Sequence, residues 1–405
     1  MIKSSIPFVG LHAHSTAGSP FDAIGFPQQH MDFAYENGTD ALALTDHGNC
    51  NGLAYQVLHA KAMEKEGKDF KPIYGVEAYF IPSLTEWGQT YEEYKASKKR
   101  KKNDAGTGFS VEDESETKNN KNKINKRSHL ILLAQNQTGL NNIFKLVSQS
   151  YKPGNFYRFP RIDYDLLQKY NEGIIASSAC LGGIYAGNYW ANKDEGTEAI
   201  LNAMRNTTEK MVAIFGDRWY GELQWIDHED QHQLNQHIIQ VCSEYGVELI
   251  STSDSHYFSP DVWKDRSLYK RLRPGFAAMA GDLPNSVEEI GYELYPKNGD
   301  QMWESYKKYS DKANISYDDD LIKGSIARTY DIAHDRIERF YPDNTVRLPS
   351  FVVQEGMTED EALSQTAWSA LASVIKSPNQ KEYTERLERE LKVIADRGFS
   401  KYFLT

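Results

Sequence analysis

Near its amino terminus the chain reads Phe8-Val9-Gly10-Leu11-His12-Ala13-His14-Ser15, and Asp22 follows. An apolar run leading into His-x-His predicts a strand on which period-two alternation puts both imidazoles on one face. Two imidazoles so placed can bind one metal ion. The Gly18-Ser19-Pro20 turn would return the Asp22 carboxylate toward them as a hard oxygen ligand. A His-x-His pair alone is more often an ordinary buried or surface pair than a ligand pair. Here similar groups recur downstream. Asp46-His47-Gly48 ends a second apolar run, Glu77 lies in a third, His129 opens a fourth, Cys180 follows a fifth, and Asp254-Ser255-His256 closes the last. Imidazole, carboxylate and a single thiolate together suit zinc, manganese or iron. Taken singly, Cys180 also reads as a small buried hydrophobe like Cys50 and Cys242, and Asp254 with His256 as a strand cap. The aromatic and basic stretch Phe156–Asp163 offers Arg161 and, second to it, Arg158 for a substrate phosphate. A structural ion-pair role for Arg161 is the competing reading.

The elements that must position these groups alternate. A helix is predicted over 26–37 with Pro27 in its first turn, a buried strand over 41–45, a helix over 51–66 and a strand over 71–81. After the strand 129–134 come a helix over 138–150, a strand over 173–179, a helix over 197–215, a strand over 219–225, a helix over 229–245 and a strand over 247–252. About seven strands, each followed by helix or loop, predict an α/β fold with a (β/α)-type barrel, whose active groups gather at the strands' C-terminal ends. His12, His14, His47, Cys180, Asp254 and His256 fall at such ends. His129 falls at the start of its strand, which the simple barrel does not explain. Residues 83–127, with Lys98-Lys99-Arg100-Lys101-Lys102 and Glu112-Asp113-Glu114, hold little that would form a core and read as a disordered insertion. The barrel domain is therefore expected over 1–259 and a mostly helical region over 260–405. That region carries the basic patch Lys270-Arg271-Leu272-Arg273 and a helix from about 384 to 397 with Leu387, Leu391 and Ile394 on one stripe. The apolar ending Lys401-Tyr402-Phe403-Leu404-Thr405 predicts that more protein follows.

Composition narrows the function classes. A formal charge of -11 over 405 residues argues against broad electrostatic attraction to nucleic acid, so any such contact must be local or metal-assisted. Three widely spaced cysteines make no disulfide framework and fit a reducing, cytoplasmic setting. No apolar stretch reaches the ~20 residues of a membrane span.

The ordered set His12-x-His14, Asp22, Asp46-His47-Gly48, Glu77, His129, Cys180 and Asp254-x-His256 resembles the polymerase and histidinol phosphatase (PHP) domain. The form it is most similar to stands at the N-terminus of bacterial DNA polymerase III alpha subunits, the C-family of replicative polymerases. Ala43–Asn49, Pro160–Asp163, Leu181-Gly182-Gly183 and Glu388–Leu404 match the same family. The resemblance implies a distorted (β/α)7-type PHP barrel with three divalent metal ions. His12, His14, Glu77 and Asp254 would hold one, Glu77 would bridge to a second held by His129 and Cys180, and Asp22, His47 and His256 would hold a third. Asp254, Glu77, His129 and Asp46 would be catalytic, Asp46 by orienting His47. It further implies 3′–5′ exonuclease action on a DNA primer end, and partners that include a second chain bearing palm, fingers and thumb and other replisome subunits. A Pro-Asp-x-Asp-x-Asp setting for polymerisation does not occur in the sequence, so polymerisation would need that further chain. A stand-alone phosphatase for a small phosphate monoester and a structural docking module are the alternatives. His228-Glu229-Asp230-Gln231-His232 matches the H-E-x-x-H zinc pattern, but acidic residues at a helix start are expected from the helix dipole alone. His30, His59, His237 and His334 read as surface residues.

Overall fold

The computed structural model describes residues 4–104, 124–272, 292–345, 351–375 and 379–405. The first elements are α1 (Pro27–Glu36), β1 (Ala41–Leu44), α2 (Leu53–Lys65), β2 (Lys71–Phe80), α3 (Leu84–Asp104), β3 (Ser128–Ala134) and α4 (Gln137–Ser150). A short hairpin, β4 (Phe156–Tyr157) and β5 (Phe159–Ile162), leads to α5 (Tyr164–Tyr170) and β6 (Ile174–Ser177). Then come α6 (Ile184–Asn192), α7 (Thr197–Phe215), β7 (Trp219–Gln224), α8 (Glu229–Tyr245), β8 (Glu248–Thr252), α9 (Trp263–Lys270), α10 (Gly299–Ala313) and α11 (Asp319–Asp331). Local chemistry sets several ends: Pro27 opens α1, the Asn136 side chain accepts from Gly139 N at the start of α4, and Gly246 ends α8 in the left-handed region.

The sheet runs β1-β2-β3-β6-β7-β8, with β5 beside the far end of β2. Single bridges, Gly10 to Leu42 and Ala13 to Ser255, set residues 10–13 between β1 and the end of β8 and complete a ring of seven staves. The first stave is therefore not the regular strand that alternation predicts. β3 is antiparallel to both β2 and β6, whereas β6, β7 and β8 run parallel. That reversal answers the anomaly of His129: the start of β3 lies beside the C-terminal ends of its neighbours, so its first residues reach the same face as theirs.

Side-chain alternation divides the layers. On β2, Tyr74, Val76, Ala78 and Phe80 pack outward under the helices, while Ile73 belongs to an inner cluster with Val9, Leu11, Ile131, Leu133, Ile175 and Ile250. Ile332, Ala333 and Ile337 close that inner cluster at the end away from the histidines. Helices α10 and α11 belong to the same compact unit, which runs to Pro342 rather than ending at residue 259. The reason lies in the contacts of α11. Ser325 Oγ lies 2.7 Å from Ser251 Oγ, Thr329 Oγ1 accepts from Val9 N at 3.1 Å, and Arg328 donates to Leu249 O at 2.7 Å.

The expectation of a disordered insertion is also corrected in part. Residues 84–104 form α3, because charged Glu, Lys and Arg are good helix formers even where they cannot build a core. The side chains of the basic run 98–102, the chain from 105 to 123, and Arg273 of the second basic patch lie outside the described residues. A second unit, Asp343–Thr405, holds α12 (Glu359–Val374), α13 (Gln380–Asp396) and α14 (Ser400–Phe403). Thr358 and Glu361 form a capping box on α12, and Leu387, Leu391 and Ile394 are half-buried along α13. Among the described residues, no helix is long and apolar enough to cross a membrane.

Candidate metal centre

At the ring's histidine-bearing end the nine expected ligand side chains converge. His12 Nε2, His14 Nε2 and Asp254 Oδ1 lie 3.1 Å from one another in each pairing. Two imidazole nitrogens and a carboxylate oxygen at that spacing match the edges of a coordination polyhedron with ligands ~2.0–2.1 Å from an ion. Glu77 adjoins this set, its Oε1 3.4 Å from His12 Nε2. The same Oε1 is 2.9 Å from His129 Nδ1, and Cys180 Sγ is 3.6 Å from that nitrogen and 3.9 Å from Glu77 Oε1. Asp22 Oδ2 lies 2.9 Å from His47 Nε2 and 3.5 Å from His256 Nε2. The three expected ligand sets are thus three neighbouring clusters sharing one cleft. Geometry also allows His14, His47 and His256 to meet as a set.

These residues fit metal ions on grounds independent of their identities. His47 Nδ1, Glu77 Oε2 and Asp254 Oδ1 are buried and have no hydrogen-bond partner, although unpaired buried polar atoms are expensive. His47 Nδ1 and Glu77 Oε2 abut without hydrogen-bond geometry. A shared cation would satisfy both. The electrostatics divide the set: burial would lower His12 and His47, but the Asp254 and Glu222 charges raise the first and Glu77 with Asp22 raises the second to about 10, so these two rings would give up a proton to take a metal ion. Burial, with His47 and His256 nearby, pushes the His14 imidazolium down to about 3, leaving a neutral ring. Burial would raise Glu77 and Asp254, but the surrounding imidazoles hold both carboxyls well below the usual range. For Cys180, burial and the Asp254 and Glu77 charges raise the thiol well above its ordinary value, so its thiolate needs a cation beside it.

The backbone around the ligands is strained. Asp254 itself has φ 48°, and Phe21 and Ala179, at 61° and 59°, directly precede Asp22 and Cys180. Side-chain-bearing residues hold such angles only where the surroundings dictate them. Gly183 shows one such constraint: a Cβ there would lie 2.0 Å from Ser178 O, so only glycine lets the Cys180 loop fold back against β3. His129 N then donates to Gly182 O at 2.7 Å.

Several expected roles change. Arg161 is fully buried, and its guanidinium donates to the carbonyls of Tyr157, Phe159 and Ile124 while lying 4.6 Å from the Trp87 ring centroid. It holds the hairpin to the chain before β3 and has no face for a phosphate. Its partners are carbonyl dipoles, not the carboxylate that an ion-pair role supposes. Arg158 is exposed at the hairpin apex. Asp46 does not orient the His47 ring by hydrogen bonding. Its carboxylate accepts from Ser15 N, Ser15 Oγ and Ser19 Oγ at 2.6, 2.8 and 2.9 Å, and Ser19 Oγ in turn accepts from His47 N at 3.1 Å. His232 of the H-E-x-x-H pattern bonds Ile226 O and the Tyr317 hydroxyl, each at 3.1 Å, and has no part in the ligand clusters. His30, expected on the surface, is fully buried.

Two positioning residues escaped the sequence. Glu222, buried inside β7, places Oε1 2.7 Å from His12 Nδ1 and fixes that ring with Nε2 toward the cluster. Arg266 on α9 donates to Asp22 O at 2.6 Å and Asp22 Oδ1 at 3.0 Å, leaving Oδ2 for the histidines. The signal for Glu222 was a carboxylate in the apolar run Trp219–Gln224; Arg266 had none.

Residues 10–226 match the PHP domain family, and residues 361–405 match the family described as the bacterial DNA polymerase III alpha NTPase domain. The DNA polymerase III subunit alpha of Aquifex aeolicus is 32% identical over 98% of this chain and 30% of its own length. That of Helicobacter pylori strain 26695 is 29% identical over the whole of this chain and 30% of its own. The chain therefore spans about 30% of the length of these curated relatives. An amidohydrolase structure from Chromobacterium violaceum overlaps 64% of this chain and 96% of its own with 16% identity and a TM-score of 0.31, too little to carry weight. The match over residues 10–226, with nine candidate ligand side chains converging in a seven-stave ring, places the chain in the PHP-domain family, in the form found in DNA polymerase III alpha subunits.

Proposed function

We propose that this chain is the phosphodiester-hydrolysing part of a replicative polymerase alpha subunit. It removes nucleotides from the 3′ end of a DNA primer, and polymerisation belongs to a further part or chain with palm, fingers and thumb. The observation that carries the proposal is the set of orphaned buried atoms, His47 Nδ1, Glu77 Oε2 and Asp254 Oδ1, at the meeting point of three ligand clusters. Three divalent ions, of zinc, manganese or iron, would occupy those clusters. When bound, such ions supply hydroxide near neutral pH and neutralise charge on the phosphate and the leaving oxygen.

The chain's own residues prepare that chemistry. Asp254 and Glu77 keep their negative charge in a buried cleft. His14 stays neutral and offers a lone pair. Glu222 holds the His12 proton on Nδ1, and Arg266 divides the two oxygens of Asp22 between itself and the cluster. Asp46 anchors Ser15 and Ser19, which fix the turn between His14 and Asp22.

The test is degradation of a 3′-labelled primer, paired and mispaired, by the purified chain with manganese or zinc, beside Asp254→Asn. Nucleotide release by the parent and not by the variant is the expected result. No release by the parent with metal bound would overturn the hydrolytic reading and leave the metals a structural role.

A further inference from the structure

We infer that the β4–β5 hairpin and the end of α4 form a track for unpaired DNA leading to the metal centre; this rests on the exonuclease reading above. The local charge is the first observation. Asp and Glu make up 57 of the 405 residues, yet none occurs from Lys126 to Ile162, a stretch that carries Lys126, Arg127, Lys145, Lys152, Arg158 and Arg161. Arg161 is committed to the interior, while Lys126, Lys145, Lys152 and Arg158 are exposed. In a chain of net charge -11, this is a cationic island.

Aromatic rings are the second observation. Phe144, Tyr151 and Phe156 are 38%, 47% and 42% exposed, and Tyr151 and Phe156 stack with centroids 5.5 Å apart and planes 18° from parallel. A second group of rings, less exposed, lies at the metal centre. Phe159 lies 5.1 Å from Tyr79, which lies 6.1 Å from the His47 ring and 5.4 Å from the His129 ring. The Arg127 guanidinium lies 3.5 Å from the Phe159 centroid, beside the same path. On the other flank, Phe144 and Tyr151 share a cavity of about 530 Å³ with Asn49, Cys50 and Asn51, just past His47 in the chain.

Arg158 is the third. It is the lone residue between Phe156–Tyr157 and Phe159–Ile162, and its φ of 60° is left-handed. Glycine adopts that conformation freely, whereas an arginine is strained there. A cation held at a hairpin apex against backbone preference points to use of its side chain. Exposed aromatic faces with interleaved cations suit single-stranded nucleic acid, whose bases stack while its phosphates follow the charges. A duplex hides its base faces, so an unpaired strand is the occupant.

The experiment measures binding of a fluorescent oligothymidylate by anisotropy, with chelator present so that nothing is cleaved. The parent should bind. Arg158→Gly should bind about tenfold more weakly, with a salt slope shallower by about 0.7 for the lost phosphate contact, and should melt no lower than the parent. Tyr151→Ala with Phe156→Ala should weaken binding about tenfold or more with the salt slope unchanged. No binding by the parent, parental affinity in both variants, or a duplex bound as tightly as the single strand would each overturn the track. The expected binding pattern with no nucleotide release once metal is restored upholds the track and overturns the hydrolytic reading alone. Primer degradation at equal KM by parent and both variants overturns the track alone.

Discussion

Replacing Glu222 with Gln tests whether the buried carboxylate behind His12 tunes the metal centre. The exchange keeps the side chain's shape and removes its charge. Glu222 Oε1 takes the proton on His12 Nδ1 at 2.7 Å and also accepts from Thr252 Oγ1 at 2.5 Å, while Oε2 accepts from Ser177 Oγ at 2.5 Å. A glutamine oxygen at the Oε1 position keeps the first two bonds. Its amide nitrogen then faces Ser177, whose hydroxyl turns to accept. The variant should therefore fold, and what it loses is the negative charge that makes His12 a better donor to an ion. Losing such an outer carboxylate typically lowers metal affinity ten- to a hundredfold, which is ~1.4–2.7 kcal/mol. The loss should fall on the ion beside His12, because Glu222 bonds that ring, whereas its charge on Cys180 only raises the thiol, so removing it does not weaken a second ion there. Chelator competition with metal counting reads this directly: one equivalent should dissociate ten- to a hundredfold more readily, the others as in the parent. Parental affinity for every equivalent, or an equal loss from all, would refute the reasoning.

Chelation of the whole protein should lower its melting temperature, since the orphaned atoms of His47, Glu77 and Asp254 lose the cation that satisfies them; an unchanged melt in calorimetry would contradict this. Arg161→Met should destabilise the protein by about 3 kcal/mol in urea titration, by stranding three carbonyls, without changing the number of metal equivalents bound. Lys297 lies 3.6 Å from Glu293, yet burial outweighs that charge and pushes its ammonium down to about 8; because Glu293 keeps Lys308, Tyr309 and Ser305 as partners, Lys297→Met should stabilise the fold at pH 7 by roughly 1–3 kcal/mol. Between pH 8 and about 10.4 the unfolded lysine keeps a proton that the folded one has shed. Parental stability therefore gains on the variant there, and denaturation series at both ends should show the gap closing.

The convergence of the nine candidate side chains was legible because their chemistry is confined to a few residue types that stand at the ends of apolar runs, where a barrel collects them. His129 looked misplaced only while every strand was taken as parallel; the direction of β3 is decided by pairing partners far away in sequence, which no local pattern carries. Glu222 was invisible for a related reason, since a lone carboxylate in Trp219–Gln224 also suits a strand with one wet face. Arg161 and Arg158 stand three residues apart in the same loop, and only three-dimensional packing separates the one turned into carbonyls from the one at the apex. The helix over 84–104 was missed because its composition lacks a core-forming stripe, although helix propensity alone sufficed for the backbone. His30 was assigned to the surface on its polar neighbours in sequence, while α1 turns that face inward.

The stave formed by residues 10–13 has a consequence for the order of events during synthesis. It is the first part of the ring to leave the ribosome, yet it bridges Ser255, 242 positions after Ala13. Contacts so distant in sequence form late, and chains emerge at roughly 5–20 residues per second. His12 and His14 must therefore wait on the order of ten seconds or more for Asp254 to appear. During that interval the two imidazoles can capture metal only loosely, as a two-point ligand. An ion held by His12, His14 and Asp254 would tie the first stave of the ring to the end of the last.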